Sequence, residues 1–318
     1  MSESPSVVIC PACESASGSL LYPSPTDFEG YATEYEGFSL WTCPECASLY
    51  LNPTPTATDT VHFYPADYMA KSKQPGIFRR LTGAWDARSA AGFVKRYGKD
   101  KTYLDFGCGD GSFVGLLRDA GAAEASGYDP MPKLAGSSHL RIYDQLDQIP
   151  VGSIDIVVMN NVVEHLTELD DTMRRIAALL TPDGTLVLST PNAADFTFRL
   201  FGSLWGLLHF PYHTVVFTPR GIELAAARWG FDAPTFVPNA DPSVWAFSFE
   251  HVIKKRFGLR TRGHLRIYWV LLIASFPFWA VDVIVHRVRR DVNRATFTCE
   301  LTAIGPQRSA SAPGSSAE

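Results

Sequence analysis

From Thr102 to Ile304, short apolar runs of strand length alternate with amphipathic stretches of helical period. TYLDF at 102–106 is apolar and stops at glycines, and SFVGLLRDAG at 112–121 reads as a helix closed by Gly121. ASGYDP at 125–130 and SIDIVVMNN at 153–161 read as strands, the second fully buried. TELDDTMRRIAALL at 167–180 is an amphipathic helix stopped by TPDG, and TLVLSTPN at 185–192 is another buried strand. TPRGIELAAARWG at 218–230 is a helix with Thr218 as N-cap and Pro219 in its first turn. PTFVPN at 234–239 and ATFTCELTAIG at 295–305 close the series as strands. Strands separated by helices predict an α/β fold with a parallel sheet and right-handed crossovers. The strand between ASGYDP and SIDIVVMNN is poorly marked.

The flanks have a different texture. Residues 7–52 carry two cysteine pairs among short strand-like runs. Residues 53–98 begin as a Pro- and Thr-rich irregular connector and end in a helix over 77–97, where Ile77, Phe78, Leu81, Trp85, Phe93 and Val94 recur at helical spacing. The α/β domain is expected over 99–240 with its last strand at 295–304, and an apolar and basic helical insertion at 241–294 between them. The tail 305–318, rich in Ser, Ala, Pro and Gly, is expected to be disordered. The chain has 318 residues, 46% apolar and 12% aromatic, which excludes a wholly disordered protein. Its formal net charge of −5 gives no global field for nucleic acid. The opening MSESPSVVIC has neither a basic nor an apolar signal region, so a cytoplasmic protein is expected.

The richest motif is Leu104-Asp105-Phe106-Gly107-Cys108-Gly109-Asp110-Gly111, at a strand-to-helix turn. Its spacing is GxGxG, and Ser112 stands where a dinucleotide fingerprint needs glycine. Asp105 beside the loop would repel a pyrophosphate and attract an ammonium group. S-adenosylmethionine carries an ammonium and a sulfonium and no phosphate. Asp129, at the tip of the next strand, suits paired ribose hydroxyls.

LDFGCGDG, GYD, SIDIVVMNNVVEHL and LLTPDGTLVLSTPN, in this order, resemble class I S-adenosylmethionine-dependent methyltransferases over roughly residues 100–235. The resemblance implies a Rossmann-like seven-stranded sheet. It implies that Asp105 holds the methionine ammonium and Asp129 the ribose. Gly107, Gly109 and Gly111 would cradle the nucleoside and methionyl portion, Asn160 would line the cleft near the reacting methyl, and Asp144 would lie near the adenine.

Cys10/Cys13 and Cys43/Cys46 are two CxxC pairs that can bring four thiolates to one structural zinc, with a longer loop than a minimal ribbon. Cys108 and Cys299 read as ordinary small buried residues. The stretch from Leu40 to Tyr68 is similar to the zinc knuckle and Pro/Tyr connector that precede some bacterial methyltransferases of surface-glycan or sugar-nucleotide pathways. That likeness implies O-methylation of a sugar, glycan or lipid-linked intermediate. A sugar hydroxyl needs a base, and His213 is the expected one, ahead of His165 and His209. RNA methylation, C- or N-methylation of a small molecule, and a membrane-docked scaffold that binds S-adenosylmethionine without turnover stay open. Residues 7–52 contain no Lys or Arg, a poor match to nucleic-acid phosphate. In the insertion, Ile267–Val281 is free of formal charge and flanked by basic residues. A hairpin touching anionic lipid on the cytoplasmic membrane face and a soluble lid both fit it; a full span does not.

Overall fold

A computed structural model describes residues 8–63, 76–131, 139–239, 241–289 and 294–304. In chain order, β1 (Ser19–Tyr22), β2 (Ser39–Thr42) and β3 (Leu49–Asn52) belong to the cysteine-bearing region, followed by α1 (Ala57–Phe63) and α2 (Gly76–Tyr97). Then come β4 (Thr102–Phe106), α3 (Ser112–Asp119), β5 (Glu124–Tyr128), β6 (Arg141–Tyr143), β7 (Ile154–Asn160), α4 (Leu169–Leu179) and β8 (Leu180–Pro191). The chain continues with α5 (Phe196–Phe201), β9 (Val215–Val216), α6 (Pro219–Trp229), β10 (Thr235–Asn239), α7 (Ser243–Phe257), α8 (Tyr268–Arg289) and β11 (Thr296–Thr302).

The expected α/β class is what forms: a seven-stranded sheet in the order β10-β11-β8-β7-β4-β5-β6. β6, β5, β4, β7 and β8 are mutually parallel, while β11 runs antiparallel to both β8 and β10. Side chains of a strand alternate between faces, and here both faces are covered. Leu104, Val157 and Met159 pack with Met173 and Ile176 of α4 and with Ile222 and Trp229 of α6. Tyr103, Ile156 and Val158 pack the other way, onto Ala90 and Val94 of α2 and Val114 and Leu117 of α3. The N-cap expected at Thr218 is present, its hydroxyl accepting from the Gly221 N–H at 3.0 Å.

Two features differ from the sequence reading, and two others give it detail. The connector contains α1, because Thr56 and Asp59 form a capping box: the Thr56 N–H donates to Asp59 and the Asp59 N–H to the Thr56 hydroxyl. TPDG does not separate α4 from a strand starting at 185; β8 begins at Leu180, and the tetrapeptide bulges out between the Ile154–Leu180 and Ile156–Thr185 pairs. The poorly marked strand is β6, three residues long. The apolar run of the insertion forms α8, continuous through Pro277. The tail 305–318 and residues 64–75 of the connector lie outside the described residues.

The second sheet could not be read from the sequence. Its order is β1-β2-β3-β9, so the cysteine-bearing strands are completed by Val215–Val216 from the central region. The Leu51 N–H also donates to the Thr214 carbonyl at 2.9 Å. Arg228 on α6 donates to the carbonyls of Ala12 and Pro11, and the Thr218 hydroxyl to that of Cys46. The insertion closes the other side of this assembly: buried Lys254 donates to the carbonyls of Phe28 and Gly263, both at 2.7 Å, and pairs with Glu250 at 3.2 Å.

Candidate active site

Asp105 lies one residue before the end of β4, at the carboxyl edge of the parallel strands, where such sheets open to ligands. The turn after it needs glycine. Gly107, Gly109 and Gly111 have φ of +81°, +54° and +77°, a left-handed region costly for other residues. A Cβ on Gly107 would stand 2.6 Å from Cγ2 of Val162, whereas one on Gly109 would meet nothing within 4 Å. Gly107 is therefore required by packing, and Gly109 opens onto free space. The Gly107 and Cys108 N–H groups both donate to the Tyr128 carbonyl, which locks the turn onto β5.

Asp129 follows β5 and accepts from the Gly109 N–H through one oxygen and the Met131 N–H through the other, each at 2.9 Å. It is thereby built into the loop. Asp105 is different: it is buried, and among the described residues nothing donates a hydrogen bond to its carboxylate. Burial, reinforced by the charges of Asp129 and Asp110, pushes it up to about 7. Such a carboxylate lacks a cation. Asn160 sits exposed at the end of β7, on the same edge, so the structure brings Asp105, the three glycines, Asp129 and Asn160 together. Asp144 is exposed just past β6, accepting from the Gln148 amide. The glycine cradle and the unpaired buried carboxylate fit a nucleoside that carries an ammonium group.

A second cluster forms four residues beyond Asn160, where Glu164 and His165 meet the loop that ends at His213. Glu164 is fully buried, and burial pushes it up to about 8. His213 Nε2 lies 4.0 Å from Glu164 Oε1, and its Nδ1 lies 3.0 Å from the Leu207 carbonyl. His165 Nδ1 lies 3.0 Å from the Tyr212 carbonyl, and the His165 and His213 rings meet edge to face at 4.6 Å. Burial lowers both imidazoles, His165 to about 4 and His213 well below its ordinary value. His209 stacks on His213 at 5.0 Å, its Nδ1 3.2 Å from Glu29. His213 is thus held in the interior beside Glu164. Sequence reasoning passed over Glu164 as part of a pattern; the available signal was a carboxylate set in an apolar run, VVEHL.

The four Sγ atoms of Cys10, Cys13, Cys43 and Cys46 lie within 4.8 Å of one another. Cys10–Cys46 is 3.7 Å and Cys13–Cys43 is 3.4 Å, and all four thiols are free. A tetrahedral zinc with bonds of about 2.3 Å sets sulfur edges of about 3.8 Å, so the donor set fits that ion. The hydrogen bond from Cys10 takes Cys46 down to about 5, while the same contact and burial raise Cys10. Cys108 and Cys299 are buried and lie outside this cluster.

A cleft of about 750 Å³ opens between loop 24–36 and the end of α7. Thr26, Asp27 and Tyr35 line one wall, Lys255, Arg260 and Arg262 the other. A narrower recess shares Thr26, Phe28 and Ser203 with it and reaches His209 and His251.

Residues 80–234 match the family model described as Methyltransferase domain. Over 126 residues the chain is 34% identical to the ubiquinone biosynthesis O-methyltransferase of Bradyrhizobium diazoefficiens, covering 35% of this chain and 49% of that protein. Over 106 residues it is 30% identical to the tRNA U34 carboxymethyltransferase of Cellvibrio japonicus, covering 29% and 33%. The chain therefore spans half or less of the length of these relatives. Among solved structures, a phosphoethanolamine N-methyltransferase of Haemonchus contortus in complex with S-adenosyl-L-methionine aligns with 87% of this chain and 71% of its own, at 15% identity and a TM-score of 0.47. The matched segment holds the glycine loop, both acids and Asn160.

Proposed function

From the methyltransferase domain at residues 80–234, we propose that this chain is an S-adenosylmethionine-dependent enzyme that methylates a hydroxyl oxygen. One observation carries the cofactor: the Asp105 carboxylate beside the glycine turn is buried and, among the described residues, has no hydrogen-bond donor. Asp105 would hold the methionine ammonium, Asp129 the ribose, and Gly107, Gly109 and Gly111 the chain between them, with Asn160 at the reacting end. Bound there, S-adenosylmethionine supplies an activated methyl: as the acceptor oxygen bonds the carbon, the carbon–sulfur electron pair stays on sulfur, leaving a neutral thioether.

The acceptor's proton is drawn off at the cluster of Glu164, His165 and His213, with His213 its central member. Supporting this, the carbonyls of Leu207 and Tyr212 fix the Nδ1–H form of both imidazoles, so each Nε2 keeps its lone pair. The acceptor is a sugar, glycan or lipid-linked intermediate. In support, the cleft combines hydroxyl, carboxylate and aromatic groups with Lys255, Arg260 and Arg262, a lining suited to a hydroxyl-rich molecule bearing negative charge. A phenolic lipid precursor is the second reading; the relative named for ubiquinone biosynthesis favours it, as does the exposed apolar row on α8. Zinc among the four cysteines is the structural ion of this proposal. The α8 row meets anionic membrane, although no described helix is long and apolar enough to cross one.

Calorimetry with S-adenosylmethionine, followed by radiolabelled methyl transfer to membrane, glycan and quinone-precursor extracts, tests the reading. Heat of binding that Asp105→Asn abolishes, together with label in a sugar-bearing fraction, supports it. Absence of heat with folded protein removes it.

A further inference from the structure

The residue least accounted for is Glu164. Its Oε2 accepts the Thr190 hydroxyl at 3.0 Å, while Oε1 is buried with no hydrogen-bond partner. A buried carboxylate oxygen left in this way is costly. What faces Oε1 is His213 Nε2, at 4.0 Å. A backbone carbonyl can only accept, so the contact with Leu207 puts the ring hydrogen of His213 on Nδ1 and directs a lone pair from Nε2 toward Glu164. The Tyr212 carbonyl fixes His165 in the same tautomer. One ligand atom from each of Glu164, His165 and His213 falls within 4.8 Å of the others.

We infer that Glu164, His165 and His213 hold a divalent transition-metal ion. Bonds of about 2.0–2.2 Å to imidazole nitrogen and carboxylate oxygen place tetrahedral ligand atoms about 3.3–3.6 Å apart, so the 4.0 Å separation must close by about half an ångström as the ion binds. Carbonyls orienting the far nitrogens of both imidazoles, and a hydroxyl bracing the second carboxylate oxygen, are the outer contacts that metal ligands use. Two imidazoles and one carboxylate select zinc, cobalt or iron over magnesium and calcium, which take oxygen ligands. Three protein ligands leave a position open, unlike the cysteine cluster, where four sulfurs close the sphere. The ion's role rests on the methyl-transfer reading: with His213 Nε2 bound to it, the ion would replace His213 as the group that promotes loss of the acceptor proton, because a hydroxyl oxygen drawn to it would release that proton to solvent more easily and keep the electron pair. Its binding does not depend on that reading.

The test is titration of cobalt(II) into the full chain with its cysteine cluster already filled with zinc. One equivalent is expected to bind, giving visible d–d absorption without a sulfur-to-metal charge-transfer band. Glu164→Gln and His213→Gln are each expected to weaken this binding by at least about a hundredfold, and Thr190→Val, which removes only the brace, by about tenfold. Where Glu164→Gln fails to fold, His165→Gln and Thr190→Val carry the comparison. No cobalt beyond the cysteine cluster, or equal binding by the variants with unchanged melting, overturns the ion. Calorimetry with S-adenosylmethionine on the same samples separates the two ideas. Heat from that ligand without a cobalt site removes the ion alone. A cobalt site without that heat removes the methyl-transfer reading alone.

Discussion

Tyr50 of the cysteine-bearing region pairs in antiparallel register with Val215, two residues beyond His213. The strand that follows the candidate catalytic histidine is thus an edge strand of the N-terminal sheet. Thr214 is held from both sides, its N–H donating to the Glu164 carbonyl and its own carbonyl accepting from Leu51. Whatever orders the cysteine cluster therefore also orders the His213 loop.

This coupling makes metal removal selective. Chelation of the ion proposed at the cysteine cluster, or Cys43→Ala, is expected to lower the melting temperature by several degrees, since losing the ion removes its binding free energy from the folded state. Methyl transfer should fall at least about tenfold through misplacement of His213. Binding of S-adenosylmethionine should stay within about twofold, because Asp105 lies on a strand of the other sheet and Asp129 directly follows one. Parallel calorimetry and turnover assays check this; equal loss of both would break the proposed coupling.

Asp105 gives a pH dependence with a defined sign. Its folded-state value is raised to about 7 from 3.8, so the unligated fold holds this proton more tightly than the unfolded chain does. Its contribution is fully favourable below the unfolded value, and it is lost as pH rises toward about 7. A cationic ligand needs the ionised form, so affinity for S-adenosylmethionine should climb up to about pH 7 and then level off. Asp105→Asn should raise the unligated melting temperature at about pH 8 and weaken the ligand by about a hundredfold or more, the scale of removing one partner of a buried charge pair. Melting curves and calorimetry between about pH 5 and about pH 9 read both effects.

The glycines separate fold from ligand. Gly107→Ala drives a Cβ to 2.6 Å from Val162 at a φ of +81° and should destabilise the unligated protein by about 2–3 kcal/mol. Gly109→Ala meets nothing within 4 Å and should cost only about 1 kcal/mol, the price of the left-handed backbone. That new methyl nevertheless stands where the ligand would approach, so Gly109→Ala should lose far more affinity than stability. Chemical denaturation beside calorimetry distinguishes the two.

Much of this was legible in the sequence, for physical reasons. Short, largely unbroken apolar runs in IDIVVMN and TLVLSTP mark strands buried on both faces, and glycines after an acid mark a turn that nothing else could make. The β3–β9 pairing was not legible: Val215 and Val216 form too short a run to declare a strand, and their partner lies far away along the chain. The three-residue β6 and the bulge at TPDG escaped for similar reasons, one too brief for a period and the other looking like an ordinary turn. Glu164 could be seen as a residue but not as a site. Its meaning comes from His213, which only the tertiary fold brings to it.

The surface of α8 sets the last test. Val270, Ile273, Val281 and Ile284 are each at least 60% exposed, at spacings that place them along one side of the helix. Phe278, off that row, stacks on Trp245 of α7 at 5.2 Å and anchors the helix. An apolar row facing outward on a helix preceded in the chain by Arg260, Arg262 and Arg266 suits an anionic lipid surface, with the side chains entering the interface. Ile273→Glu with Ile284→Glu should abolish co-sedimentation with vesicles containing phosphatidylglycerol. Because both positions are exposed, stability should change by no more than about 0.5 kcal/mol per site. Turnover on a short, water-soluble acceptor should persist, since the substitutions lie away from Asp105 and the Glu164 cluster. Binding to vesicles that is unaffected by the double substitution would show that α8 is not the contact. Loss of turnover on the soluble acceptor would instead mark α8 as a lid over the cleft.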